Sequence, residues 1–176
     1  YLKAAAQGHA ESQNFLGELY RDGRGVAPNL PKAVKWFRLA ATQGVPEAQV
    51  SLGVMLFYGE GVARDQARAL VWYRKAARQG DASGMFNIGQ MYRSGDVVRQ
   101  SWKRALHWYL RAAAGDHVGA MHWLGRIYGG QEQPAADHKK AFVWLKRAAE
   151  RGDMQSQCEL GICYIRGLGV AVDKPA

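Results

Sequence analysis

The chain has 176 residues, of which 48% are hydrophobic and 22% are charged, and its formal net charge is +9. This balance is typical of a soluble globular protein long enough to bury a substantial core, and no apolar run reaches the roughly 18–20 residues of a membrane-spanning helix. Because the chain begins with Tyr1 rather than Met, its compartment stays open: a removed export signal would place it in the periplasm or outside the cell, and otherwise it would be cytoplasmic.

The first forty residues predict two helices joined by a linker. Apolar side chains at helical spacing, among them Leu16 and Tyr20, predict a first helix over residues 10–22. Gly23 follows, and glycine readily takes the left-handed conformation found at helix C-termini. Asn29 is a good N-cap, and Pro31 fits the first turn of a second helix over residues 30–43.

The same pattern recurs with a period of 36 residues. A glycine that follows Leu or Ile marks the first helix of each unit: Gly17, Gly53, Gly89, Gly125 and Gly161. A tryptophan marks the second helix of each complete unit: Trp36, Trp72, Trp108 and Trp144. We expect these tryptophans to occupy the core between units, so that Trp72→Ala would cost about 3–5 kcal/mol.

The linkers support the same division. Glycines that end a first helix recur at Gly23, Gly59 and Gly167, and small polar N-cap residues recur at Asn29, Asp65, Ser101, Asp137 and Asp173. The fourth linker, residues 129–137, lacks the glycine pattern, and its conformation stays open. Helix pairs this short must stack to bury their apolar faces, so the sequence predicts an all-α, right-handed α-solenoid of stacked antiparallel helix pairs.

We expect a single repeat domain over residues 1–176. Its boundaries are the end of a preceding repeat (1–8), four repeats (9–44, 45–80, 81–116 and 117–152) and a partial repeat (153–176). The chain would then be a piece of a longer array or of a multidomain protein. Other parts of that longer chain are therefore candidate partners.

The segment "ESQNFLGELYRDGRGVAPNLPKAVKWFRLAATQG" closely resembles the repeat of the Sel-1-like repeat family, A…LGxxYxxGxGVxxDxxKAxxWxxxAAxxG. The resemblance extends over essentially the whole chain, with departures such as Leu56 in place of the usual tyrosine and Val97 in place of a linker glycine. The sister tetratricopeptide repeat has a period of about 34 residues, so the longer period favours the Sel-1-like repeat. The resemblance implies a non-enzymatic scaffold or adaptor that binds other proteins.

The candidate binding residues lie on the first helices, on the face opposite the predicted core. In similar helical repeats this face lines a concave groove, and here its residues differ from unit to unit: Asn14, Glu18, Arg21, Val50, Val54, Phe57, Phe86, Gln90, Arg93, His122 and Arg126. Its valines and phenylalanines would form an apolar patch flanked by its arginines, which suits a protein or peptide ligand with apolar anchors and acidic flanks. Alternatively, the patch packs against an adjacent unit or another segment of the same protein.

A second candidate surface lies on the second helices, where one position is always basic: Lys32, Arg68, Arg104 and Lys140. The alternative function is therefore binding of an anionic envelope polymer, a lipid or a nucleic acid through a basic convex face. Most aromatic residues that could stack on bases are assigned to the core, which disfavours nucleic acid. The other interpretation of these cations is a solvated outer surface.

No residue pattern predicts catalysis, a cofactor or a metal site. The five histidines include no pair spaced as metal ligands on one helix face. Cys163 shares its repeat position with Met55 and Met91, which predicts burial, and Cys158 has no neighbouring base in the sequence. The glycine-rich linkers follow helices rather than strands, unlike phosphate-binding loops. We therefore predict a protein that is not an enzyme and needs no cofactor.

Overall fold

The computed structural model describes residues 1–131 and 136–170, and the secondary structure in these ranges is entirely α-helical. The helices are α1 (Leu2–Ala6), α2 (Ala10–Asp22), α3 (Leu30–Thr42), α4 (Pro46–Tyr58), α5 (Gln66–Arg78), α6 (Ala82–Ser94), α7 (Trp102–Ala114), α8 (Val118–Tyr128), α9 (His138–Glu150) and α10 (Met154–Arg166). The predicted all-α fold with a 36-residue repeat is confirmed. None of these helices has both the length and the apolar composition needed to cross a bilayer.

The chain divides into two compact units, unit 1 from Tyr1 to Ser101 and unit 2 from Trp102 onward. Unit 1 contains α1 to α6, and unit 2 contains α7 to α10. Within each unit a helix packs mainly against the helices before and after it in the chain, such as α4 against α3 and α5. Almost all contacts are therefore between sequence neighbours, as in stacked repeats.

The helix ends follow the predicted capping residues. The side chains of Asn29, Asp65 and Asp137 accept hydrogen bonds from the backbone N–H three residues later, at 2.9, 2.9 and 3.1 Å. The glycines after α2, α4 and α10 have positive φ values of 71°, 80° and 65°, as predicted for left-handed helix ends. Ser101 directly precedes α7, and Asp173 lies outside the described residues.

Each described linker closes back on the helix that precedes it. The backbone N–H of Asn29 donates to the carbonyl of Tyr20 at 2.7 Å, and the N–H of Asp137 donates to Tyr128 at 2.7 Å. The fourth linker therefore ends with the same contact as the first, although its sequence lacks the usual glycines. It begins differently, because Gly129 keeps a helical φ of −71°.

The core of unit 1 is filled by the residue after each tryptophan. The rings of Phe37 and Tyr73 are buried, whereas Trp36 and Trp72 are partly exposed. The predicted core position was therefore wrong by one residue, because the apolar stripe of the second helix runs through Ala33, Phe37 and Ala40. Trp72 lies at the edge of this stripe, with the Lys75 ammonium 4.1 Å from its ring centroid.

In unit 2 the residue after each tryptophan also fills the core, but the side chains differ. Tyr109 and Leu145 are buried, while Trp108 and Trp144 are partly exposed. A guanidinium lies over each tryptophan ring, with Arg111 4.9 Å from the Trp108 centroid and Arg147 5.0 Å from the Trp144 centroid. These tryptophans therefore lie at the edge of the core, each between the core and an arginine.

Glutamine side chains join successive repeats in unit 1. Gln49 is buried and donates to the Ala41 carbonyl at 3.2 Å, and its own Oε1 accepts a hydrogen bond from Gln79 at 3.0 Å. Gln13 makes the corresponding bond to the Ala5 carbonyl at 3.0 Å. Each amide adds a side-chain donor to a carbonyl at the end of a second helix, where the Gly44 N–H also donates to Ala41 at 3.2 Å and the Gly8 N–H to Ala5 at 3.1 Å.

Candidate functional site

A cavity of about 310 Å³ opens in unit 1 near the C-terminal ends of α4 and α6. It is lined by Phe57, Tyr58, Tyr73, Phe86, Asn87, Gln90, Met91, Arg93, Ser94 and Asp96. Four of these residues, Phe57, Phe86, Gln90 and Arg93, are candidate binding residues from the sequence. The repeat places them together because both helices present the face opposite their core stripe.

One side of the cavity is aromatic, and two of its rings contact each other edge-on near the opening. The Phe57 and Tyr58 centroids are 5.0 Å apart with an interplanar angle of 80°, and Tyr58 is 66% exposed. Tyr73 lies at the buried end, where loss of hydration raises the pKa of its phenol far above the ordinary value, so its hydroxyl stays protonated. The cavity therefore combines an apolar interior with an aromatic rim.

The opposite wall is polar. The Arg93 guanidinium donates to the side-chain oxygen of Gln90 at 2.8 Å, and Asn87 and Asp96 complete this side. Arg64 lies nearby and donates to the Phe57 carbonyl at 3.1 Å, which holds the last turn of α4. Such a site can take an apolar side chain and hydrogen-bond the backbone on either side of it.

The rest of the predicted apolar patch is less concentrated. Val50 and Val54 are half-buried on α4 and lie outside the lining of the cavity. The predicted patch of two valines and two phenylalanines therefore forms only in part. The two rings define the cavity, and the valines belong to the neighbouring helix surface.

The candidate residues on α2 form hydrogen bonds within their own helix and do not line this cavity. Asn14 donates to Glu18 at 3.2 Å, and Arg21 donates to Asp22 at 2.7 Å. The hydrogen bond to Asp22 is the main cause of the raised pKa of Arg21, and the same bond lowers the pKa of Asp22. Because its charge is already paired, Arg21 is a weaker candidate for an acidic ligand than the sequence suggested.

His122 is the candidate that the structure corrects most clearly. It was predicted on the binding face, but it is only 6% exposed, and its Nδ1 lies 3.0 Å from the Ser156 hydroxyl. The ring thus packs between α8 and α10. Arg126, one turn later, lies over the ring of Trp123 with 4.8 Å between the guanidinium and the centroid.

His122, Ser156 and Asp153 form a cluster that the linear sequence did not reveal. The same Nδ1 atom faces both the hydroxyl and, at 3.4 Å, the Asp153 carboxylate, whereas a catalytic histidine uses its two nitrogens for serine and acid. Ser156 is fully buried, and Asp153 accepts from its backbone N–H at 2.7 Å as the N-cap of α10. The cluster is therefore a capping network that joins two helices.

The two cysteines differ in environment, although both belong to α10. Cys163 is buried, as predicted from its repeat position, and loss of hydration raises the pKa of its thiol. Cys158 is exposed. In the ranges that the structure describes, His, Cys, Asp and Glu side chains do not gather in groups of three that could hold a metal ion.

A model of the Sel1 repeat matches residues 1–9, 10–45, 46–81, 82–117, 118–153 and 155–176. The chain belongs to the Sel1 repeat family. The matched segments follow the 36-residue period, and the resemblance predicted from the repeat motif is confirmed. Members of this family are generally scaffolds for protein–protein interactions, and their fold is a non-catalytic helical repeat. No curated protein matched the chain.

Solved Sel1 repeat structures agree with this assignment. A protective antigen of uropathogenic Escherichia coli strains that displays an SLR fold is 36% identical, with a TM-score of 0.88 over 97% of this chain and 36% of that chain. A Sel1 repeat protein from Oxalobacter formigenes is 31% identical, with a TM-score of 0.87 over 94% of this chain and 68% of that chain. This chain thus spans about a third of the length of the E. coli antigen.

A Sel1 repeat protein from Klebsiella pneumoniae is more distant, at 22% identity and a TM-score of 0.61 over 92% of this chain and 80% of that chain. At this identity the likeness shows the shared fold alone. Together the Sel1 repeat structures support the solenoid architecture.

Proposed function

We propose that this Sel1 repeat chain is a scaffold without catalytic activity that binds a protein or peptide through the first-helix surface of unit 1. The observation that carries the proposal is the cavity in which Phe57 and Phe86 come together from successive repeats. Large rings near the centre of a surface depression are typical anchors of protein interfaces.

The lining indicates the chemistry of the ligand. The rings favour an apolar anchor side chain, and Asn87, Gln90 and Arg93 offer hydrogen bonds to the backbone that carries it. Arg93 favours a ligand with an acidic residue beside the apolar anchor. Asp96, on the same side of the cavity, favours a hydrogen-bond donor of the ligand. An extended or helical segment with one apolar anchor and mixed polar flanks fits this pattern best.

The absence of catalysis is part of the proposal. Its support is the geometry of two described clusters with the composition of a catalytic triad, His122 with Ser156 and Asp153 and His9 with Ser12 and Glu11. In each cluster the serine is buried, and its hydroxyl and the carboxylate face the same Nδ1 atom. A binding function requires none of these groups to react.

The test starts by identifying the partner through cross-linking and mass spectrometry in the native organism, and then measures binding of the purified partner by calorimetry. We expect Phe57→Ala combined with Phe86→Ala to weaken binding by about 2 kcal/mol or more, or at least 30-fold, because both anchors contacting the ligand are lost.

A matched control is available in unit 2. Phe142 and Tyr164 also make an edge-on ring contact, with centroids 5.3 Å apart and an angle of 90°. Phe142→Ala combined with Tyr164→Ala should leave the affinity within about 3-fold of the wild type. Equal loss in both double variants, or full binding by the Phe57/Phe86 variant, would reject the cavity as the binding site.

A further inference from the structure

Positive charge is concentrated on the second helices. Each of α3, α5, α7 and α9 carries three or four Lys or Arg residues, and the only acid among these four helices is Glu150. The first helices carry most of the remaining helical acids, including Glu11, Glu18 and Glu47. The net charge of the chain therefore arises on one side of the helix pairs rather than uniformly.

Each second helix also exposes one aliphatic side chain among these cations. These residues are Leu39 on α3, Val71 on α5, Leu110 on α7 and Val143 on α9. Single exposed aliphatic residues are common on protein surfaces. What distinguishes this set is that each second helix carries one such residue within four positions of a Lys or Arg, and that Val71 and Val143 occupy the same repeat position.

Unit 2 shows how these groups are arranged. A shallow depression of about 430 Å³ is lined by residues that we call the outer face: Leu110, Tyr128, Lys139, Lys140, Val143, Trp144 and Arg147. Leu110 and Val143 are 37% and 48% exposed. The partly exposed ring of Trp144 lies beneath the Arg147 guanidinium, so apolar atoms and a cation form one continuous surface.

Within the part of the chain that the structure describes, part of the positive charge of the outer face is not paired with a carboxylate. Lys140 is paired with Asp137 at 3.0 Å. Among the described residues, by contrast, no carboxylate lies within ion-pair distance of Lys139 or Arg147. Two cations therefore remain available to an anionic partner beside two exposed aliphatic side chains.

We propose that the outer face binds the surface of an anionic lipid bilayer. Lysine and arginine attract anionic headgroups, while aliphatic side chains and tryptophan favour the boundary between headgroups and acyl chains. The outer face presents all three kinds of group. This lipid-binding function is separate from the cavity of unit 1 and does not depend on it.

A bilayer fits better than a peptide or a nucleic acid. The depression is shallow, and its aliphatic residues recur on successive second helices, which suits an extended surface more than a single anchor pocket. Sequence-independent binding of single strands relies on aromatic rings that stack on bases. At the outer face the rings of Trp144 and Tyr128 each have a cation over them, Arg147 at 5.0 Å and Lys140 at 5.4 Å, whereas attraction to a bilayer requires only exposed cations and aliphatic side chains.

The test measures co-sedimentation of the whole chain with vesicles of phosphatidylcholine alone or mixed with phosphatidylglycerol. At ~0.1 M salt we expect binding to the mixed vesicles only, and release as the salt concentration rises. Lys139→Gln combined with Arg147→Gln should weaken binding about 30-fold, because each cation near an anionic surface contributes about a factor of five. Leu110→Ser combined with Val143→Ser should also reduce binding.

The control removes two charges elsewhere. Arg99 and Arg166 are exposed and lie outside the second helices, so Arg99→Gln combined with Arg166→Gln changes the net charge equally. We expect this variant to bind within about 3-fold of the wild type. Circular dichroism checks that every variant is folded.

Equal loss in both charge variants would overturn the proposal, because net charge alone would explain the binding. Equal binding to both kinds of vesicle, or to neither, would also overturn it. If duplex DNA or polyglutamate binds through Lys139 and Arg147 while the vesicles do not, the outer face recognises a different polyanion and the lipid proposal is wrong.

Discussion

In both units a first-helix glycine packs against a bulky side chain of the second helix, but the bulky side chains differ between the units. In unit 1, a β-carbon added at Gly17 or Gly53 would lie 2.6 or 2.5 Å from the nearest ring atom of Phe37 or Tyr73. In unit 2, a β-carbon at Gly125 would lie 2.6 Å from Leu145. In both units a glycine of the first helix lets a bulky residue of the second helix pack closely against it, and that residue can be aromatic or aliphatic.

The units also differ in the contacts that join neighbouring repeats. In unit 1 the Gln79 amide donates to the buried Gln49, whereas the equivalent of Gln49 in unit 2, Gln157, is exposed and donates to the Ala149 carbonyl at 3.2 Å. In unit 2 the residue at the position of Gln79 is Arg151, which forms an ion pair with Asp116 that is largely exposed to water. Buried amides and exposed ion pairs differ in energy and in salt dependence, so the comparison makes measurable predictions.

The largest expected effect comes from removing a ring that packs on a glycine. Tyr73→Ala should lower the free energy of unfolding by about 3–5 kcal/mol, because it leaves an enclosed cavity. Tyr73→Leu should cost clearly less, since Leu145 occupies the equivalent place in unit 2. Urea denaturation followed by circular dichroism measures both.

Trp72→Ala serves as the neighbouring control for Tyr73→Ala. Its site is open to solvent, so water can enter the space that the side chain vacates, and we expect a smaller loss of stability than for Tyr73→Ala. If the tryptophan variant proved less stable than the tyrosine variant, the core position assigned from the structure would be wrong.

Glycine-to-alanine substitutions should change stability in opposite directions at two equivalent positions. Gly53→Ala forces the Tyr73 ring to move and should cost about 1–3 kcal/mol. Gly161 has no atom within 4 Å of an added β-carbon, so Gly161→Ala should stabilise the protein by about 0.5–1 kcal/mol through helix propensity. Thermal melts of the two variants measure this difference, and the same sign for both would refute it.

Removing a contact between neighbouring repeats should cause the smallest losses in the free energy of unfolding. Gln49→Ala removes the side-chain donor from the Ala41 carbonyl, which still accepts the Gly44 N–H at 3.2 Å, so it should cost about 0.5–1.5 kcal/mol with little dependence on salt. Arg151→Gln breaks an exposed ion pair and should cost less than about 1 kcal/mol, with the loss disappearing at high salt. Urea titrations at low and high salt check both variants.

The fold was predictable because its signals are local and repeated. Asn29, Asp65 and Asp137 cap helices through bonds within one turn, and their positions can be read from residue type alone. The repeat then supplies the pairing of helices, since the same apolar stripe recurs in every unit. The fold could therefore be predicted without knowing any contact between residues far apart in the sequence.

The candidate site was predictable only in part, because exposure depends on what a helix packs against. Two adjacent aromatic residues, such as Trp72 and Tyr73, differ by about 100° around the helix, and the repeat alone does not say which one faces inward. His122 was assigned to the surface because its column is variable. A polar Ser156, where the other units have serine, alanine or glycine, was the available sign of a buried partner.

The two cysteines of α10 supply a reporter that requires no engineering. Cys158 is exposed, whereas Cys163 is 6% exposed on the same helix. A thiol reagent in excess should modify Cys158 immediately and Cys163 only during transient opening of α10. Mass spectrometry of the second modification over time would therefore measure the free energy of that opening, in the native protein and without denaturant.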